Sequence, residues 1–283
     1  MAKPTRARAL ILTDGSRPEM RATVDRLRPT IEKHLEVAGV SLDFASELDT
    51  ANVDLVIVFG GDGSILRAAR QMRHEQRPVL GVNLGRLGFL AALQPDHLDE
   101  ALPQIAADAH RVHKHLMFEC THLRGGAALS QVLGLNEAEV LAGEPFTMLD
   151  VQLYVDGELV TTYSCDGLIV STPIGSTAHN LSAGGPILRN NLQAFVVSPI
   201  SAHTLTNRPV VDSADRVLEI AVPKPNEGTT LMVDGRAIGK LEAADRVRIV
   251  RSQAMFQTVE VRGHSYYRTL REKLGWGGQL KLS

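Results

Sequence analysis

The sequence predicts an α/β domain with a parallel sheet, followed by a β-rich domain. Three observations predict this fold class. Apolar runs alternate with helical patterns up to residue 109, which is the βαβ order of a parallel sheet. From residue 110 to residue 264, short alternating segments separated by turns replace the helices. At 283 residues, the chain is long enough for two domains that each bury a core.

The first domain opens with a strand from Arg8 to Thr13. A turn containing Asp14 then leads into a helix from about Pro18 to Val37. Pro29 is expected to bend or shorten this helix, because proline lacks the N–H that a helix interior needs.

The central element of this domain is an apolar strand that runs into a glycine-rich turn and then a helix. Residues 55–59 are continuously apolar, which suits a strand covered on both faces. Gly60, Gly61 and Gly63 allow unusual dihedrals and let backbone N–H groups approach an anion closely. Ser64 can cap the following helix. The stretch therefore predicts a phosphate site.

Asp62 is the unusual residue of this turn. A carboxylate in a loop built for phosphate repels the ligand unless it handles a proton, a hydroxyl or a metal ion. Asp62 therefore favours phosphoryl transfer over simple binding. A tight strand-to-helix turn that needs glycines and a polar cap is the structural alternative.

Two further elements complete the βαβαβ order. A buried strand is expected at 78–83, and a second glycine-punctuated loop, 83–90, follows at its carboxyl end, where open α/β sheets bind ligands. Residues 96–107 predict a helix in which Pro103 is a candidate break.

The second domain carries a β-hairpin signature. Residues 148–162 alternate between apolar and polar side chains on both sides of the turn dipeptide Asp156-Gly157. The tail, residues 265–283, returns to a helix that Gly275 ends, and we expect it to pack back on the first domain. Further strands are predicted at 216–222, 229–233 and 246–251.

Histidines cluster near the domain boundary, at His110, His113, His115 and His122. A metal site is one interpretation of this cluster. Zinc sites usually add a carboxylate or cysteine at defined spacing, and no such pattern is recognisable. Ordinary surface or core histidines are therefore the favoured interpretation, and no metal ligand is assigned.

A second polar constellation lies in the β-rich domain. The strand 168–171 feeds a short helix that opens with Ser176 and Thr177, which predicts an anion or ribose site at a helix N-terminus. The segment begins at Asp166, and the polar pair Asn136-Glu137 interrupts another apolar stretch. Buried polar pairs need partners, and a sugar with vicinal hydroxyls is a suitable one.

Composition excludes several classes of protein. With 30 Lys and Arg against 32 Asp and Glu, and no basic run with interleaved aromatics, nucleic acid is not the expected partner. No window is long enough to cross a membrane, and the run from Ala9 to Thr13 is too short for a signal peptide. Cys120 and Cys165 form no C-x-x-C pair. We expect a cytoplasmic protein without a membrane partner that binds a mononucleotide or dinucleotide.

Taken together, these motifs resemble the NAD kinases in order and spacing, over nearly the whole chain. The resemblance implies a Rossmann-like first domain of the kind shared with diacylglycerol kinases and 6-phosphofructokinases, and an all-β, sandwich-like second domain, with NAD bound between them. The motifs are Gly60–Ser64, Asn83–Leu90, Asn136-Glu137, Asp166–Pro173, Gly175–Ala178, Gly184–Pro186, His203–Pro209 and Tyr267–Trp276.

The resemblance implies an activity and its partners. ATP would phosphorylate NAD at the 2′-hydroxyl of the adenosine ribose. A divalent metal cation, Mg²⁺ by preference, would arrive with ATP, since no cage of protein carboxylates is recognisable. The protein would be a homodimer or homotetramer.

The same resemblance implies roles for single residues. Asp62 would be the catalytic proton acceptor, and Asn136 and Glu137 would hold ribose hydroxyls. The implied NAD- and phosphate-binding positions are Gly60, Gly61, Gly63, Arg67, Asn136, Glu137, Asp166, Thr177, Ala178, His179, Asn180, Leu181 and Ser182.

Three positions depart from the pattern of that family. His179 stands where tyrosine is frequent, Ser164 where a basic residue is common, and Arg236 where glutamine often follows the dipeptide Asp234-Gly235. A histidine can still stack on a base.

Two other functions remain as alternatives. A lipid or sugar kinase could use the same glycine turn, although no amphipathic or basic membrane-binding stretch is evident. A catalytically silent nucleotide sensor is the second alternative, and Asp62 argues against it, because a pure binder gains nothing from a carboxylate beside phosphate.

Overall fold

A computed structural model describes residues 6–44, 48–85, 88–91, 93–203, 208–261 and 266–275. Parts of the predicted motifs at 83–90, 203–209 and 267–276, and the expected start of the last helix at Ser265, lie outside these ranges. The chain divides into two compact units. The first contains residues 1–114 and 256–283, and the second contains residues 115–255.

Sixteen strands and five α-helices make up the described structure. The helices are α1 (Pro18–His34), α2 (Asp62–Met72), α3 (Leu98–Ala106), α4 (His179–Ser182) and α5 (Tyr266–Leu274). The strands are β1 (Arg8–Thr13), β2 (Glu36–Ser41), β3 (Leu55–Phe59), β4 (Pro78–Val82), β5 (Arg111–Arg124), β6 (Ala127–Gly134), β7 (Glu137–Leu141), β8 (Leu149–Val155), β9 (Glu158–Cys165), β10 (Gly167–Ser171), β11 (Ala194–Ile200), β12 (Val210–Ser213), β13 (Leu218–Ala221), β14 (Thr230–Val233), β15 (Arg236–Lys240) and β16 (Asp245–Glu260).

The sheet of the first unit is parallel, as predicted. Its strands run in the order β2-β1-β3-β4, and the end of β16 joins at β4. All five residues of β3 are buried, because the strand lies between two others and packs on both faces. Phe59 pairs with Val82, so the loops that leave β3 and β4 begin side by side at the same edge.

Local predictions fail in the first unit where tertiary packing opposes them. The helix α1 ends at His34 rather than Val37, and the unpredicted strand β2 follows at once because it pairs with β1. Pro29, which was expected to bend or shorten this helix, lies inside α1, and the helix is shorter than expected but continues past the proline as far as His34. Pro103 likewise lies inside α3, whose Leu102 and Ile105 are buried. Burial of these helix faces outweighs the lost hydrogen bond.

The second unit is built from antiparallel sheets. One has six strands in the order β12-β11-β10-β7-β14-β15, and β8 pairs with β9 and with β13, which pairs with β16. Strands of both groups share one core, which includes Phe118, Val170, Phe195 and Ile249. This two-layered packing confirms the sandwich-like class.

The predicted hairpin turn is present in this unit. Asp156 and Gly157 join β8 to β9 with φ angles of 50° and 84°. Asp234 and Gly235 join β14 to β15 in the same way, with φ angles of 48° and 73°. Two consecutive positive φ angles are typical of type I′ hairpin turns, which explains the Asp-Gly dipeptides.

None of the described helices combines the length and the apolar character that a membrane span requires.

Candidate active site

The glycine turn after β3 has one position where the backbone itself requires glycine. Gly60 has a φ of 153°, and a Cβ there would lie 2.3 Å from Ser64 Oγ. The prediction of unusual dihedrals was wrong for Gly61 and Gly63: Gly61 is extended, and Gly63 lies in the first turn of α2. A Cβ at either position would meet no atom of the described residues within 4 Å. The described part of the fold therefore does not need glycine at 61 and 63, and it leaves the space beside them open.

The helix after the turn begins at Asp62, with Gly61 as its N-cap. The prediction that Ser64 caps this helix was wrong, because Ser64 already lies inside the first turn. The acidic first residue is itself favourable there, since the N-terminus of a helix carries partial positive charge.

Asp62 ties the two glycine loops of the first unit together. Its Oδ2 accepts the N–H of Phe89 at 2.7 Å, and its Oδ1 accepts those of Leu90 and Ala91 at 3.0 Å each. Gly88 allows this approach, because a Cβ there would lie 2.0 Å from Oδ1. A carboxylate offers about four acceptor positions. Among the residues that the structure describes, one position on Oδ2 is therefore left for another donor.

Arg67 lies one helical turn beyond this site, and half of its side chain is exposed. Its Nη1 is 3.8 Å from Asp14 Oδ2, and its guanidinium lies 5.4 Å from the centre of the Phe44 ring. Asp14 follows β1 at the edge where the glycine turn also begins. The structure thus places a cation near the predicted phosphate turn.

In the second unit, a residue that sequence reasoning passed over organises the site. The carboxylate of Asp234 accepts three successive backbone N–H groups, from Leu135 at 2.9 Å, Asn136 at 2.7 Å and Glu137 at 3.2 Å. The only local signal was the Asp-Gly hairpin dipeptide, which predicts a turn and not the partner of its side chain.

Glu137 is buried, and one oxygen of its carboxyl group lacks a hydrogen bond within the described structure. The residue is 3% exposed, and Oε2 has no hydrogen-bond partner within the described structure. Burial, followed by the negative charges of Glu139 and Asp234, raises the pKa of Glu137 to about 9. Within the same described residues, Asn136 Oδ1 is also buried without a hydrogen-bond partner. The predicted polar pair therefore presents two unpaired oxygen acceptors.

Glu139 and His179 form an unpredicted side-chain contact beside Glu137. Residues 137 and 139 lie two apart on β7, so their side chains share one face of the strand. His179 Nδ1 lies 2.7 Å from Glu139 Oε1. The glutamate side chain is buried, whereas 62% of the histidine side chain is exposed.

Most polar side chains of the hydroxyl-rich segment before α4 form hydrogen bonds within that segment. Ser176 Oγ donates to Pro173 O at 2.6 Å, and Thr177 Oγ1 donates to Ile174 O at 3.1 Å. The Asn180 amide donates to Ser176 O, and its oxygen accepts from Ser198 Oγ at 2.7 Å. These groups shape the loop.

The remaining predicted positions of this segment differ in their exposure to solvent. His179 and Ser182 are exposed, Ala178 and Leu181 are half-buried, and α4 is only four residues long.

Asp166 is not brought to Glu137. It is exposed and precedes β10, whereas Glu137 pairs with Ser171 at the other end of that strand. Five residue steps along a strand separate Asp166 from Ser171, which is about 17 Å.

The boundary histidines occupy separate places. His122 Nε2 lies 2.7 Å from Asp245 Oδ2, and Arg124 Nε donates to Asp245 Oδ1 at 2.7 Å. The hydrogen bond from Arg124 holds the pKa of Asp245 well below its usual range. His113 pairs with Glu260.

Two family models match the chain. One, described as the ATP-NAD kinase N-terminal domain, matches residues 15–110. The other, described as the ATP-NAD kinase C-terminal domain, matches residues 135–261.

Several curated relatives and solved structures are similar to this chain. The NAD kinase of Rhodopirellula baltica is 56% identical over 257 residues, covering 91% of this chain and 83% of that protein. The NAD kinase of Geotalea daltonii is 38% identical over 253 residues, covering 89% of each. An NAD kinase from Archaeoglobus fulgidus, solved in complex with ATP, has a TM-score of 0.73 at 28% identity, covering 95% of this chain and 98% of that one. Yeast NADH kinase complexed with NADH has a TM-score of 0.87 at 22% identity, covering 99% and 91%, and shows the fold alone.

Proposed function

This chain belongs to the NAD kinase family and phosphorylates NAD with ATP, and on that premise we propose that Asp62 is the general base of the transfer. In this proposal Asp62 takes the proton of the 2′-hydroxyl of the adenosine ribose as that oxygen attacks the γ-phosphoryl group of ATP. ADP leaves, and NADP is the product.

The observation that carries this role is the way in which Asp62 is held. Three backbone N–H groups fix its carboxylate, and one acceptor position on Oδ2 stays available. A positioned carboxylate can remove a proton without first reorganising, which is what general-base catalysis requires. The open space beside Gly61 and Gly63 supports a phosphate in the turn and speaks against a purely structural turn.

For the nucleotide acceptor, we propose that Asn136 and Glu137 hold ribose hydroxyls. Both residues present buried oxygens that lack a hydrogen-bond partner in the described part of the chain, and ribose hydroxyls are donors of the required kind. Asp234 fixes the backbone of both residues. His179 and Ser182 are exposed in the same segment, and we assign both to the proposed NAD-binding residues 177–182.

We also propose that the divalent cation of the reaction arrives with ATP. Within the described part of the first unit, no group of three metal-binding side chains gathers around Asp62. The cation, Mg²⁺ by preference, supplies charge neutralisation on the phosphates, and Arg67 and the N-terminus of α2 supplement it.

We propose a cytoplasmic homodimer or homotetramer. Exposed apolar side chains on two edge strands support self-association: Leu159 and Val160 on β9, and Val210 and Val211 on β12. Sedimentation at micromolar concentration is expected to show at least a dimer. A single species of about the chain mass would contradict this state.

One assay tests the proposed reaction itself. Purified protein is incubated with NAD, ATP and Mg²⁺, and NADP is detected with an NADP-specific dehydrogenase. We expect NADP to form in proportion to ADP. Release of ADP without NADP would show that the protein hydrolyses ATP or uses another acceptor.

A further inference from the structure

Three metal-binding side chains of the second unit converge on one point. The ligand atoms of Glu137, Glu139 and His179 all lie within 4.8 Å of one another. The two glutamates lie on the same face of β7, and His179 lies on α4.

The cluster is short of positive charge. Its two carboxyl side chains are buried, and Asp234 adds a third acidic side chain close by. Asp234 is satisfied by backbone N–H groups, and Glu139 by His179. Glu137 Oε2 has no hydrogen-bond partner in the described structure, although the residue is 97% buried. A buried carboxylate in this state is costly unless a cation or a proton accompanies it.

We propose that Glu137, Glu139 and His179 bind a divalent transition-metal cation directly, in the absence of any nucleotide. Two carboxylate oxygens and one imidazole nitrogen are a donor set that Zn²⁺ and Mn²⁺ accept. Nδ1 of His179 faces the cluster, because it already contacts Glu139. The exposure of the same side chain gives the ion a route of entry.

This cation is distinct from the one that accompanies ATP. The inference rests on ligand atoms of the second unit and does not depend on the proposed roles of Asp62 or ATP. Glu137 has two carboxylate oxygens, so one can ligate the ion while the other accepts a ribose hydroxyl. Three protein ligands also leave a position open for water or for that hydroxyl.

The test uses the full chain, stripped of metal by a chelator, dialysed, and kept free of nucleotide. Binding of Mn²⁺ is followed by electron paramagnetic resonance, and binding of Zn²⁺ by calorimetry. We expect one saturable site per chain. Glu139→Gln and His179→Phe should each weaken binding by at least about tenfold, since each removes a ligand. His179 is exposed, so its variant should fold even where Glu139→Gln does not.

A matched control removes a histidine of a similar pair elsewhere. His113 belongs to the first unit and contacts the carboxylate of Glu260, so His113→Ala should leave binding unchanged. Absence of a saturable site for both ions would overturn the inference, and so would unchanged binding in His179→Phe. An infrared band of a protonated Glu137 carboxyl that persists in excess metal would show that a proton neutralises the cluster instead. All of these measurements are made without NAD and ATP, so failure of the metal site would leave the assay of NADP formation in the wild-type protein as a separate test of the proposed function.

Discussion

Replacement of Asp62 by asparagine separates its chemical role from its structural one. Asparagine keeps the shape of the side chain but has a single carbonyl oxygen and no basic group. With that oxygen facing Leu90 and Ala91, the amide NH₂ faces the N–H of Phe89, which is now 2.7 Å from Oδ2. The hydrogen bond from Phe89 N–H is lost, and this N–H then faces another donor, the side-chain NH₂ of the asparagine.

The size of both effects follows from these contacts. Loss of one hydrogen bond to a charged group costs about 1.5–3 kcal/mol. For a chain of this length, each kcal/mol lowers the melting temperature by roughly 2–4 °C. The loss of the base is expected to reduce kcat by about 10²-fold or more, with NAD still bound. The variant should therefore fold, bind and fail to turn over.

Asp234→Asn is the matched control, because that carboxylate also accepts three successive backbone N–H groups. It should lower the melting temperature by a similar amount. Since Asp234 holds the backbone of Asn136 and Glu137, its loss should mainly raise the KM for NAD.

The assay measures kcat, KM, NAD binding and thermal melting for both variants. Near-wild-type kcat in Asp62→Asn would refute the assignment of the base. Equal kcat losses in the two variants would show that loosened loops, and not a missing base, slow the reaction.

Three other outcomes follow from the structure. Glu137→Gln should raise the KM for NAD about tenfold and also slow turnover, because it weakens a hydrogen bond to ribose that exists in the ground state as well; an unchanged KM would contradict the ribose contact. Excess EDTA should abolish NADP formation and added Mg²⁺ should restore it, whereas undiminished turnover in EDTA would rule out a metal–ATP substrate. Asp245→Asn should destabilise the protein by about 3 kcal/mol at pH 7, because it leaves His122 and part of Arg124 without a partner. The folded-state pKa of Asp245 is lowered, so its contribution is present above the unfolded pKa of about 3.9 and is lost as pH falls below that value. Urea unfolding at several pH values should show that the difference in the free energy of unfolding between wild type and variant becomes smaller in acid. A difference that stays constant with pH would contradict this dependence on the pKa of Asp245.

Local pattern was enough to determine the elements on which the site is built. The continuous apolar run of β3 predicts a strand covered on both faces, because no polar side chain on it could face water. The dipeptide Asp156-Gly157 predicts its hairpin, since few residue pairs accept two positive φ angles. The order and spacing of the glycine and polar motifs predict the family, because those residues follow one another along the chain.

The contacts that make the site were decided only by the tertiary structure. Asp62 meets the N–H groups of residues 89–91, and Asp234 meets those of residues 135–137. Partners 27 to 99 residues apart leave no periodic signal in the sequence. The early end of α1 has the same origin, because pairing of β2 with β1 outweighs local helical preference.

Glu139 shows the same limit most directly. From the sequence alone, Glu139 is interpreted as an ordinary polar residue of a strand. In the structure it is buried beside Glu137 and contacts His179. The side-chain alternation of β7 determines that residues 137 and 139 share a face. Which face is buried, and which histidine crosses it 40 residues later, depends on how β10 and α4 pack on that strand.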